Sequence, residues 1–367
     1  MTDPRYTSTV AALPSTVPFV GPETQERTSG QIFRARLGAN ENGFGPSPAA
    51  IEAFRNAAGD IWKYGDPENH DLRHALADFH QVKPENIVVG EGIDGLLGYL
   101  SRMLIAPGDR VVTSLGAYPT FNYHVAGFGG VIETIPYLND HEDLPTLIAK
   151  AKEVDAKLIY FANPDNPMGS WHAGSTITAL LDDIPDGCLL ILDEAYVDLA
   201  PNGTEAEYSV EHPKVIRMRT FSKGYGLAGA RVGYAMGARA LVKNFDKIRN
   251  HFGMNRASQA AALAALQDQD WLLQTRSRVH DAREYINEIA ITHAMTTIPS
   301  ATNFVAIDTG RDGDFAKSVL EALAIESVFI RMPFISPQNR CIRVSCGPRE
   351  ELDIFADTFA KVLKTLQ

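Results

Sequence analysis

The sequence predicts an α/β protein: a large domain built on a mainly parallel central sheet, plus a smaller α+β domain. Between residues 86 and 236, short apolar runs of strand length alternate with helical stretches, which is the pattern of successive βαβ units. Polar residues or glycine follow several of these runs, at Gly92, Asn166, Asp193 and Lys223. Because parallel strands end at one edge of their sheet, and ligands bind beyond that edge, these four positions predict a shared site.

The composition suits a globular protein. The chain has 367 residues, 45% hydrophobic and 22% charged, which is enough for a sizeable core. The net charge is -11 and no basic block occurs, so nucleic acid is not an expected partner. Three scattered cysteines predict neither a disulfide framework nor a metal site, and they favour a reducing, cytoplasmic location. We also expect no signal peptide and no membrane span, because the sequence lacks both apolar patterns.

The first part of the chain divides into an arm and the large domain. About 30 residues rich in Pro, Ser and Thr open the sequence, so we assign residues 1–36 to an N-terminal arm and residues 37–260 to the large domain. Predicted helices cover 49–58, 72–79 and 95–104, the first opened by Pro48. Predicted strands cover 87–89, 110–113, 158–162, 188–192, 215–218 and 232–236. The unbroken apolar run 188–192 indicates a strand buried on both faces.

Residues 261–367 predict the smaller domain. A long helical pattern from 257 to 290, with a break near 268–270, connects it to the large domain. Predicted strands follow at 303–308, 327–331 and 341–345, and predicted helices at 315–323 and 350–366. The last helix has Pro348 before it and two glutamates in its first turn, which are normal start signals.

The residues that follow two strands of the large domain lead to specific predictions. The run 158–162 leads into Asn163-Pro164-Asp165-Asn166-Pro167, where two Asn/Asp-Pro steps predict a sharp, exposed turn. The run 188–192 leads into Asp193, whose carboxylate is costly at the end of a buried strand unless it is paired. A cationic group should therefore meet Asp193.

The loop of residues 220–231 has the composition of a cofactor site. It places Lys223 among hydroxyls and glycines, with Arg231 eight residues later and strand-like runs on both sides. Ser222 and Arg231 can bind an anion, and Lys223 can form a Schiff base with a carbonyl; pyridoxal phosphate (PLP) needs both. The alternative is a glycine-rich turn with an incidental lysine.

Three further positions are weaker candidates on their own. The turn around Gly92 opens a helix and presents free N–H groups to an anion, although any tight βα turn uses the same residues. Tyr118 can lie beside a planar ligand or be an ordinary core residue. Arg343, in the middle of a predicted strand, is either an outward-facing charge or a fork for a carboxylate or phosphate.

From residue 37 onward the chain resembles the fold-type-I PLP-dependent aminotransferases and, within them, the histidinol-phosphate aminotransferase group. The resemblance rests on Ala39-Asn40-Glu41-Asn42, Tyr64 with Asp66-Pro67, Asn163-Pro164-Asp165-Asn166-Pro167, Asp193-Glu194-Ala195-Tyr196, Thr220-Phe221-Ser222-Lys223 with Arg231, and Arg343. These motifs together are specific to the superfamily and less specific to the substrate. They imply transfer of an amino group between an amino acid or amino-alcohol phosphate and a 2-oxo acid, in two half-reactions.

The resemblance also implies catalytic roles. Lys223 would bind the cofactor and then move the proton at the substrate's Cα. Asp193 would pair with the pyridine N–H and so be the carboxylate that meets a cation. Asn166 and Tyr196 would donate to the ring's phenolic oxygen.

The remaining roles implied by the resemblance are binding roles. Tyr118 would stack on the ring. The phosphate would be held by Ser222, Arg231, the N–H groups of Ile93 and Asp94, and Tyr64 from the neighbouring subunit, which makes the protein a homodimer. Arg343 would hold the substrate's anionic group, with Arg331 either its companion or a surface charge.

The sequence departs from the family pattern at Met168, Gly95, Gly65 and Phe19. Only the last bears on the substrate, because the family's tyrosine there helps to hold the substrate phosphate and phenylalanine donates no hydrogen bond. If Pro18-Phe19 is the matching pair, Phe19 favours an apolar or aromatic side chain.

Two alternative functions stay open and two others are disfavoured. Aromatic amino acid transamination, or decarboxylation of an amino-acid phosphate on the same scaffold, stay open, because the cofactor supplies the chemistry in each case. A PLP-dependent regulator is disfavoured, since we expect no room for a DNA-binding domain before residue 37. A nucleotide-binding protein is disfavoured because no GxGxxG follows the first strand.

Overall fold

A seven-stranded sheet forms the centre of the large domain in a computed structural model, which describes residues 4–15 and 20–366. Phe19 and Pro18 lie outside the described residues. The N-terminal segment contains α1 (Ser8–Ala12), α2 (Pro22–Ser29) and β1 (Ala35–Arg36). The large domain contains α3 (Pro48–Ala58), α4 (His70–His80), β2 (Ile87–Gly90), α5 (Gly92–Leu104), β3 (Arg110–Ser114), α6 (Thr120–Gly127), β4 (Val131–Ile135), α7 (Leu144–Glu153), β5 (Leu158–Ala162), α8 (Gly174–Thr178), β6 (Leu189–Asp193), β7 (Val215–Thr220), β8 (Gly233–Gly237), α9 (Arg239–Val242) and α10 (Arg256–Gln267).

A long helix, α11 (Gln269–Thr292), leads into the smaller domain. That domain contains β9 (Thr296–Thr297), β10 (Phe304–Asp308), α12 (Gly313–Ile325), β11 (Val328–Phe329), β12 (Cys341–Ser345) and α13 (Arg349–Thr365). Strand β10 pairs antiparallel with both β12 and β9, while β1 pairs in parallel with β11. The predicted α/β large domain and α+β small domain are both confirmed.

The central sheet has the strand order β2-β8-β7-β6-β5-β3-β4. Strands β4, β3, β5, β6 and β7 run in parallel, and β8 is antiparallel to both β7 and β2. Strand β2 therefore points the same way as β7. Consequently Gly92, Asn166, Asp193 and Lys223, which lie at or just beyond the ends of β2, β5, β6 and β7, share one edge of the sheet as predicted.

The adjacent strands β5 and β6 are apolar except for Asp193 at the end of β6, because helices cover both faces of the sheet. On β5, Leu158 and Tyr160 pack into one hydrophobic cluster, with α5 and α6. Ile159 and Phe161 of the same strand pack into another, with α7. Alternate side chains of a strand point to opposite faces, so burial of both faces explains the unbroken apolar run.

The packing places α10 with the large domain. Its Ala261 and Ala265 lie in one cluster with Ala50 of α3 and Leu76 of α4. The small-domain core begins further along, at Val279 in α11. We therefore propose that the domain division falls inside α11, later than the boundary after residue 260 that the sequence suggested.

The turn after β5 is buried, so the prediction of an exposed turn was wrong. Asn163 and Asp165 are each 1% exposed. The side chain of Asn163 donates to the backbone oxygens of His172 and Thr204, both at 3.1 Å, and accepts from the His172 N–H. These partners come from residues later in the chain, which cover the turn and satisfy its polar groups.

Within the part of the chain that the structure describes, no helix has the length and apolarity required to cross a membrane. Nor do three or more potential metal-ligating His, Cys, Asp or Glu side chains cluster among these residues.

Candidate active site

Lys223 lies in the loop after β7 and points to a segment from the start of the chain. Its Nζ donates to the backbone oxygen of Asn40 at 3.0 Å. The side chain of Asn42 donates to the backbone oxygens of Lys223 and Gly224, both at 3.1 Å. The Ala39-Asn40-Glu41-Asn42 motif therefore positions both the backbone and the amine of the lysine.

The surroundings of Lys223 favour its neutral amine. Burial lowers the pKa of Lys223 to about 8, and the nearby Arg343 contributes in the same direction, while Asp94 and Glu41 oppose it. The amine also lies 5.6 Å from the centre of the Tyr196 ring. Because only the neutral amine is nucleophilic, a lowered pKa prepares Lys223 to react with a carbonyl near neutral pH.

Asp193 is a buried carboxyl, 4% exposed, at the end of β6. It accepts from the Tyr160 hydroxyl at 2.6 Å and from the Ala195 N–H at 2.9 Å. Burial raises the pKa of Asp193 to about 6 despite these two hydrogen bonds. Among the described residues no lysine or arginine pairs with it, so the cationic partner predicted from the sequence is not supplied by these side chains. A protonated ring nitrogen fits this requirement.

Tyr196, Asn166 and Asn40 form a cluster of polar groups between the lysine and the small domain. Asn40 donates to the Tyr196 hydroxyl at 3.1 Å, and Asn166 lies 3.5 Å from the same oxygen. Burial raises the pKa of Tyr196 to about 12, so its hydroxyl stays protonated at neutral pH. This hydroxyl can therefore donate a hydrogen bond to a ligand oxygen.

Arg343 is turned into the site rather than out to solvent. Its Nη1 donates to the Asn166 side-chain oxygen at 2.5 Å, and its guanidinium carbon lies 5.0 Å from the centre of the Phe304 ring. Burial lowers the pKa of Arg343 to about 10. Its Nε is buried without a hydrogen-bond partner among the described residues. A buried donor without a partner is costly, so an anionic ligand fits this position.

The start of α5 and the end of the lysine loop form a cup for an anion. Gly92 has φ +77, and a Cβ there would lie 2.6 Å from Nη2 of Arg231, so only glycine leaves room for this guanidinium. The same Nη2 lies 3.6 Å from the carboxylate of Asp94. The Ser222 hydroxyl accepts from Thr220 at 2.9 Å. With the free N–H groups of the first helical turn, this donor set fits a phosphate.

Tyr118 lies next to this cup. Its hydroxyl donates to Asp94 at 3.1 Å, and the ring is half-buried. Burial, followed by the nearby Asp94, raises the pKa of Tyr118. The ring is therefore held in place beside the phosphate cup, as stacking on a planar ligand requires.

Two other predicted residues lie away from these groups. Tyr64 is 76% exposed, and its ring packs on Phe252, with the ring centres 4.8 Å apart. Arg331 exchanges backbone hydrogen bonds with Arg343, but its side chain donates to the backbone oxygen of Val20 at 2.8 Å. Within one chain, therefore, neither side chain joins the lysine and its neighbours.

The structure adds residues that the sequence did not assign to roles. Asn303 donates to the backbone oxygens of Asn40 and Glu41, at 3.0 and 3.2 Å. Ser345 bonds to both the N–H and the side chain of Asn40. Tyr160 holds Asp193. The motif around Asn40 indicated that this segment is functional, but Asn303 and Ser345, which bond to it, lie more than 260 residues away in sequence. No sequence feature indicated the contact between Tyr160 and Asp193.

The fold and the site define a PLP-dependent enzyme of fold type I. A poised amine suits the cofactor's aldehyde, a buried carboxyl suits its ring nitrogen, and a cup of N–H groups suits its phosphate. Each of these groups is placed by a different strand end of the same sheet edge.

Comparison with known proteins agrees with this class. The sequence model of the family described as "Aminotransferase class I and II" matches residues 35–359. The chain is 33% identical over 333 residues to histidinol-phosphate aminotransferase 2 of Pseudomonas aeruginosa, covering 89% of each chain. It is 35% identical over 347 residues to histidinol-phosphate aminotransferase of Anaeromyxobacter sp., covering 93% of this chain and 94% of that one.

A solved structure extends the similarity. The crystal structure of histidinol-phosphate aminotransferase from Sinorhizobium meliloti in complex with pyridoxal-5'-phosphate has a TM-score of 0.96 and 49% identity, covering 100% of this chain and 99% of that one. Aspartate aminotransferase from Thermus thermophilus with maleate shares the fold, with a TM-score of 0.80 at 22% identity over 98% of this chain and 100% of that one. The chain belongs to the class I and II aminotransferases.

Proposed function

We propose that this enzyme transfers an amino group from histidinol phosphate, or a closely similar amino-alcohol phosphate, to a 2-oxo acid. The observation that carries the proposal is Arg343, whose buried guanidinium reaches Asn166 with one nitrogen and leaves Nε without a partner among the described residues. Similarity to enzymes named histidinol-phosphate aminotransferase supports the choice of donor. Arg331, bonded to Arg343 through the backbone, is the proposed second cation of the substrate site.

We propose the following roles for the catalytic residues. PLP, when bound, supplies a sink for the electron pair left when the substrate's Cα–H bond breaks. Asp193 would hold a proton on the ring nitrogen, which would keep the sink effective. Asn166 and Tyr196 would donate to the ring oxygen. Lys223 would bind the cofactor's aldehyde and, once the substrate's amine had freed it as a neutral amine, would take the proton from the substrate's Cα.

The cup described above would hold the cofactor's phosphate. Ser222, Arg231 and the N–H groups of Ile93 and Asp94 contribute donors and positive charge, while Tyr118 keeps the ring plane in position through its bond to Asp94.

A half-reaction tests the proposed donor. The purified enzyme with PLP is mixed with histidinol phosphate, phenylalanine or glutamate, without an oxo acid, while the cofactor's visible absorbance is followed. We expect histidinol phosphate to convert the cofactor far faster than the other donors at equal concentration. Conversion only by phenylalanine or another aromatic amino acid would replace the proposed donor. An unchanged spectrum with every donor would favour decarboxylation of an amino-acid phosphate.

We further propose that the enzyme is a homodimer in which Tyr64 reaches the phosphate of the partner's cofactor. Trp62, Tyr64 and Phe252 are 78%, 76% and 54% exposed, which is unusual for neighbouring aromatic side chains. Gly253 packs so closely on Glu91 that a Cβ would lie 1.4 Å from its carboxylate oxygen, and Glu91 precedes the phosphate-cup helix α5. A twofold interface pairs this patch with its own copy, so each Tyr64 comes close to the other cup.

Mixed dimers test this arrangement. Lys223→Ala and Tyr64→Ala chains are each expected to be inactive or nearly so. Refolding them together in equal amounts should restore about a quarter of the wild-type activity per subunit, since half of the dimers are mixed and each mixed dimer has one intact site. Absence of any recovery, with mixed dimers shown by native mass spectrometry, would place Tyr64 in its own chain's site or outside both.

We also propose a cytoplasmic location. Cys188, Cys341 and Cys346 are all buried and unpaired, which supports a reducing compartment. Fractionation of cells that produce the protein tests this proposal.

A further inference from the structure

Two buried carboxyl groups lie directly behind the turn that carries Asn166. Glu142 precedes α7 and Asp165 follows β5, and each residue is 1% exposed. The catalytic roles proposed above use neither group. Burying two carboxyl groups is costly unless they are paired or neutralised, so their surroundings need an explanation.

Hydrogen-bond donors surround both carboxyl groups. Glu142 accepts from the Ser114 hydroxyl at 2.5 Å and from the Ala162 N–H at 2.9 Å. Asp165 accepts from the Tyr137 hydroxyl at 2.8 Å and from the Met168 N–H at 2.9 Å. The two carboxyl groups also hydrogen-bond to each other.

Such a pair must hold a proton. Two ionised carboxylates have no proton to share, so a hydrogen bond between them requires one to be protonated. Burial, followed by the neighbouring Asp165, raises the pKa of Glu142 well above its usual range, and burial raises the pKa of Asp165 to about 6. Of the two groups, Glu142 is therefore the one that holds the shared proton more strongly.

None of the neighbouring charged or titratable groups that the structure describes forms an ion pair that would let both carboxyl groups be ionised. The Nε2–H of His172 donates to the backbone oxygen of Glu142 at 2.7 Å, and burial lowers the pKa of His172, which favours the neutral ring. His141 packs edge-on against His172. Arg343 acts on Asp165 through space, and Tyr137 donates as a neutral hydroxyl. Among the described residues no lysine or arginine forms an ion pair with either carboxyl group.

The pair is connected to the substrate site through one residue. Asp165 precedes Asn166, whose side-chain oxygen accepts from Arg343 at 2.5 Å. Asp165 also closes the turn on the other side, through Met168 and through its own N–H, which donates to Ser170. Displacement of Asp165 would therefore move Asn166, and the Arg343 guanidinium would lose the hydrogen bond to Asn166 that holds it in place.

We propose that Glu142 and Asp165 are positioning residues that share one proton, and that this protonated pair fixes Asn166 and Arg343 for the substrate's anionic group. The inference rests on the proposed role of Arg343 in substrate binding. It predicts that Glu142 is needed as a hydrogen-bond donor and not as a negative charge.

Substitutions of Glu142 separate these two possibilities. Glu142→Gln keeps a donor to Asp165, so KM for the amino donor should stay within about threefold of wild type. Glu142→Ala removes one of the partners of Asp165 and the acceptor of the Ala162 N–H, so KM should rise roughly tenfold or more with a smaller change in kcat. Glu153→Gln and Glu153→Ala, at the exposed far end of α7, are the matched controls.

The pH dependence supplies a second readout. A proton on a group with a raised pKa is lost at the alkaline end, so wild-type KM should increase at high pH as the pair ionises. In Glu142→Gln this proton cannot be lost, and KM should stay flat to a higher pH. Tyr137→Phe tests the pair without altering either acid, and KM should rise several-fold because Asp165 loses a donor.

The outcomes distinguish this inference from the proposed function. Arg343→Ala is measured alongside, with whichever donor reacts in the half-reaction. If KM for every donor is unchanged in Arg343→Ala, the proposed substrate site is wrong, and the inference is overturned with it. If Arg343→Ala raises KM but Glu142→Ala and Tyr137→Phe do not, the inference alone is overturned. Equal damage by Glu142→Gln and Glu142→Ala would show that Glu142 acts as a charge, which also overturns it. If Glu142→Ala fails to fold, the KM values of Tyr137→Phe and Glu142→Gln still test the inference.

Discussion

Replacing Tyr160 with phenylalanine should change the pH at which the enzyme binds its cofactor. The Tyr160 hydroxyl donates to Asp193 at 2.6 Å inside the protein, and its ring stacks on Phe121 with the ring centres 5.1 Å apart. Phenylalanine keeps the stacking and removes only the hydrogen bond. Because that bond stabilises the carboxylate form, its loss raises the pKa of Asp193.

The expected change in the pKa of Asp193 can be worked out from the strength of a hydrogen bond to a charged group. A hydrogen bond to a charged group contributes about 1.5–3 kcal/mol, and a pKa change of one corresponds to about 1.4 kcal/mol. The pKa of Asp193 is about 6 in the wild type. In Tyr160→Phe it should therefore lie at roughly 7–8. Asp193 pairs with a cation only as the carboxylate, so cofactor affinity should fall as the pH drops through the pKa in each protein.

Titration of each apoprotein with PLP at a series of pH values, followed by visible absorbance, measures this effect. We expect wild-type affinity to decline below about pH 6 and the affinity of Tyr160→Phe to decline at least one pH unit higher. Tyr285→Phe is the matched control, because its hydroxyl makes a similar bond at 2.7 Å to Asp353 on the surface. Identical pH profiles for Tyr160→Phe and wild type would refute the argument that this hydroxyl tunes Asp193.

Three further predictions concern the lysine loop and its partners. Lys223→Ala should abolish turnover and the visible band of the lysine-bound cofactor; a visible spectrum like that of wild type would remove Lys223 from the mechanism. Asp193→Asn should retain some cofactor but lose most activity, about a hundredfold or more, and full activity in steady-state assays would contradict the role of the ring nitrogen. Gly226→Ala should lower the free energy of unfolding by roughly 2–4 kcal/mol, because φ is +71 and the new Cβ would lie 2.6 Å from the carbonyl carbon of Gly45. Gly203→Ala, at φ +86 with open space around it, should cost only about 1 kcal/mol in the same denaturation experiment, and equal losses would show that contact with Gly45 is unimportant.

Much of the site followed from the sequence because each motif lies at a strand end. Apolar runs located the strands, and the direction shared by parallel strands brought Gly92, Asn166, Asp193 and Lys223 to one edge. The break near residues 268–270 also matched, since α10 ends at Gln267 and α11 begins at Gln269. These features depend on local pattern and on sheet geometry, both of which a sequence displays.

The partners of these residues did not follow from the sequence. The sequence indicated a cation for Asp193 but not that Tyr160 would tune its pKa, and it placed the turn at Asp165 in solvent. The missed contact of Tyr160 and the wrong prediction for the turn have one cause. Whether a polar group is exposed or covered depends on segments distant in the chain, and nothing near residue 165 predicts that Tyr137 and Glu142 lie against it.

The sequence by itself determined the fold class and the kind of cofactor and singled out Lys223 as the candidate lysine, because these depend on residue type and strand order. Only the tertiary structure decided how the groups are supported. It brought Asn40 against Lys223, Asn303 and Ser345, and it turned Arg343 onto Asn166. Hydrogen bonds act over about 3 Å whatever the separation along the chain, so packing of the two domains, and not local sequence, determined the partners of these residues.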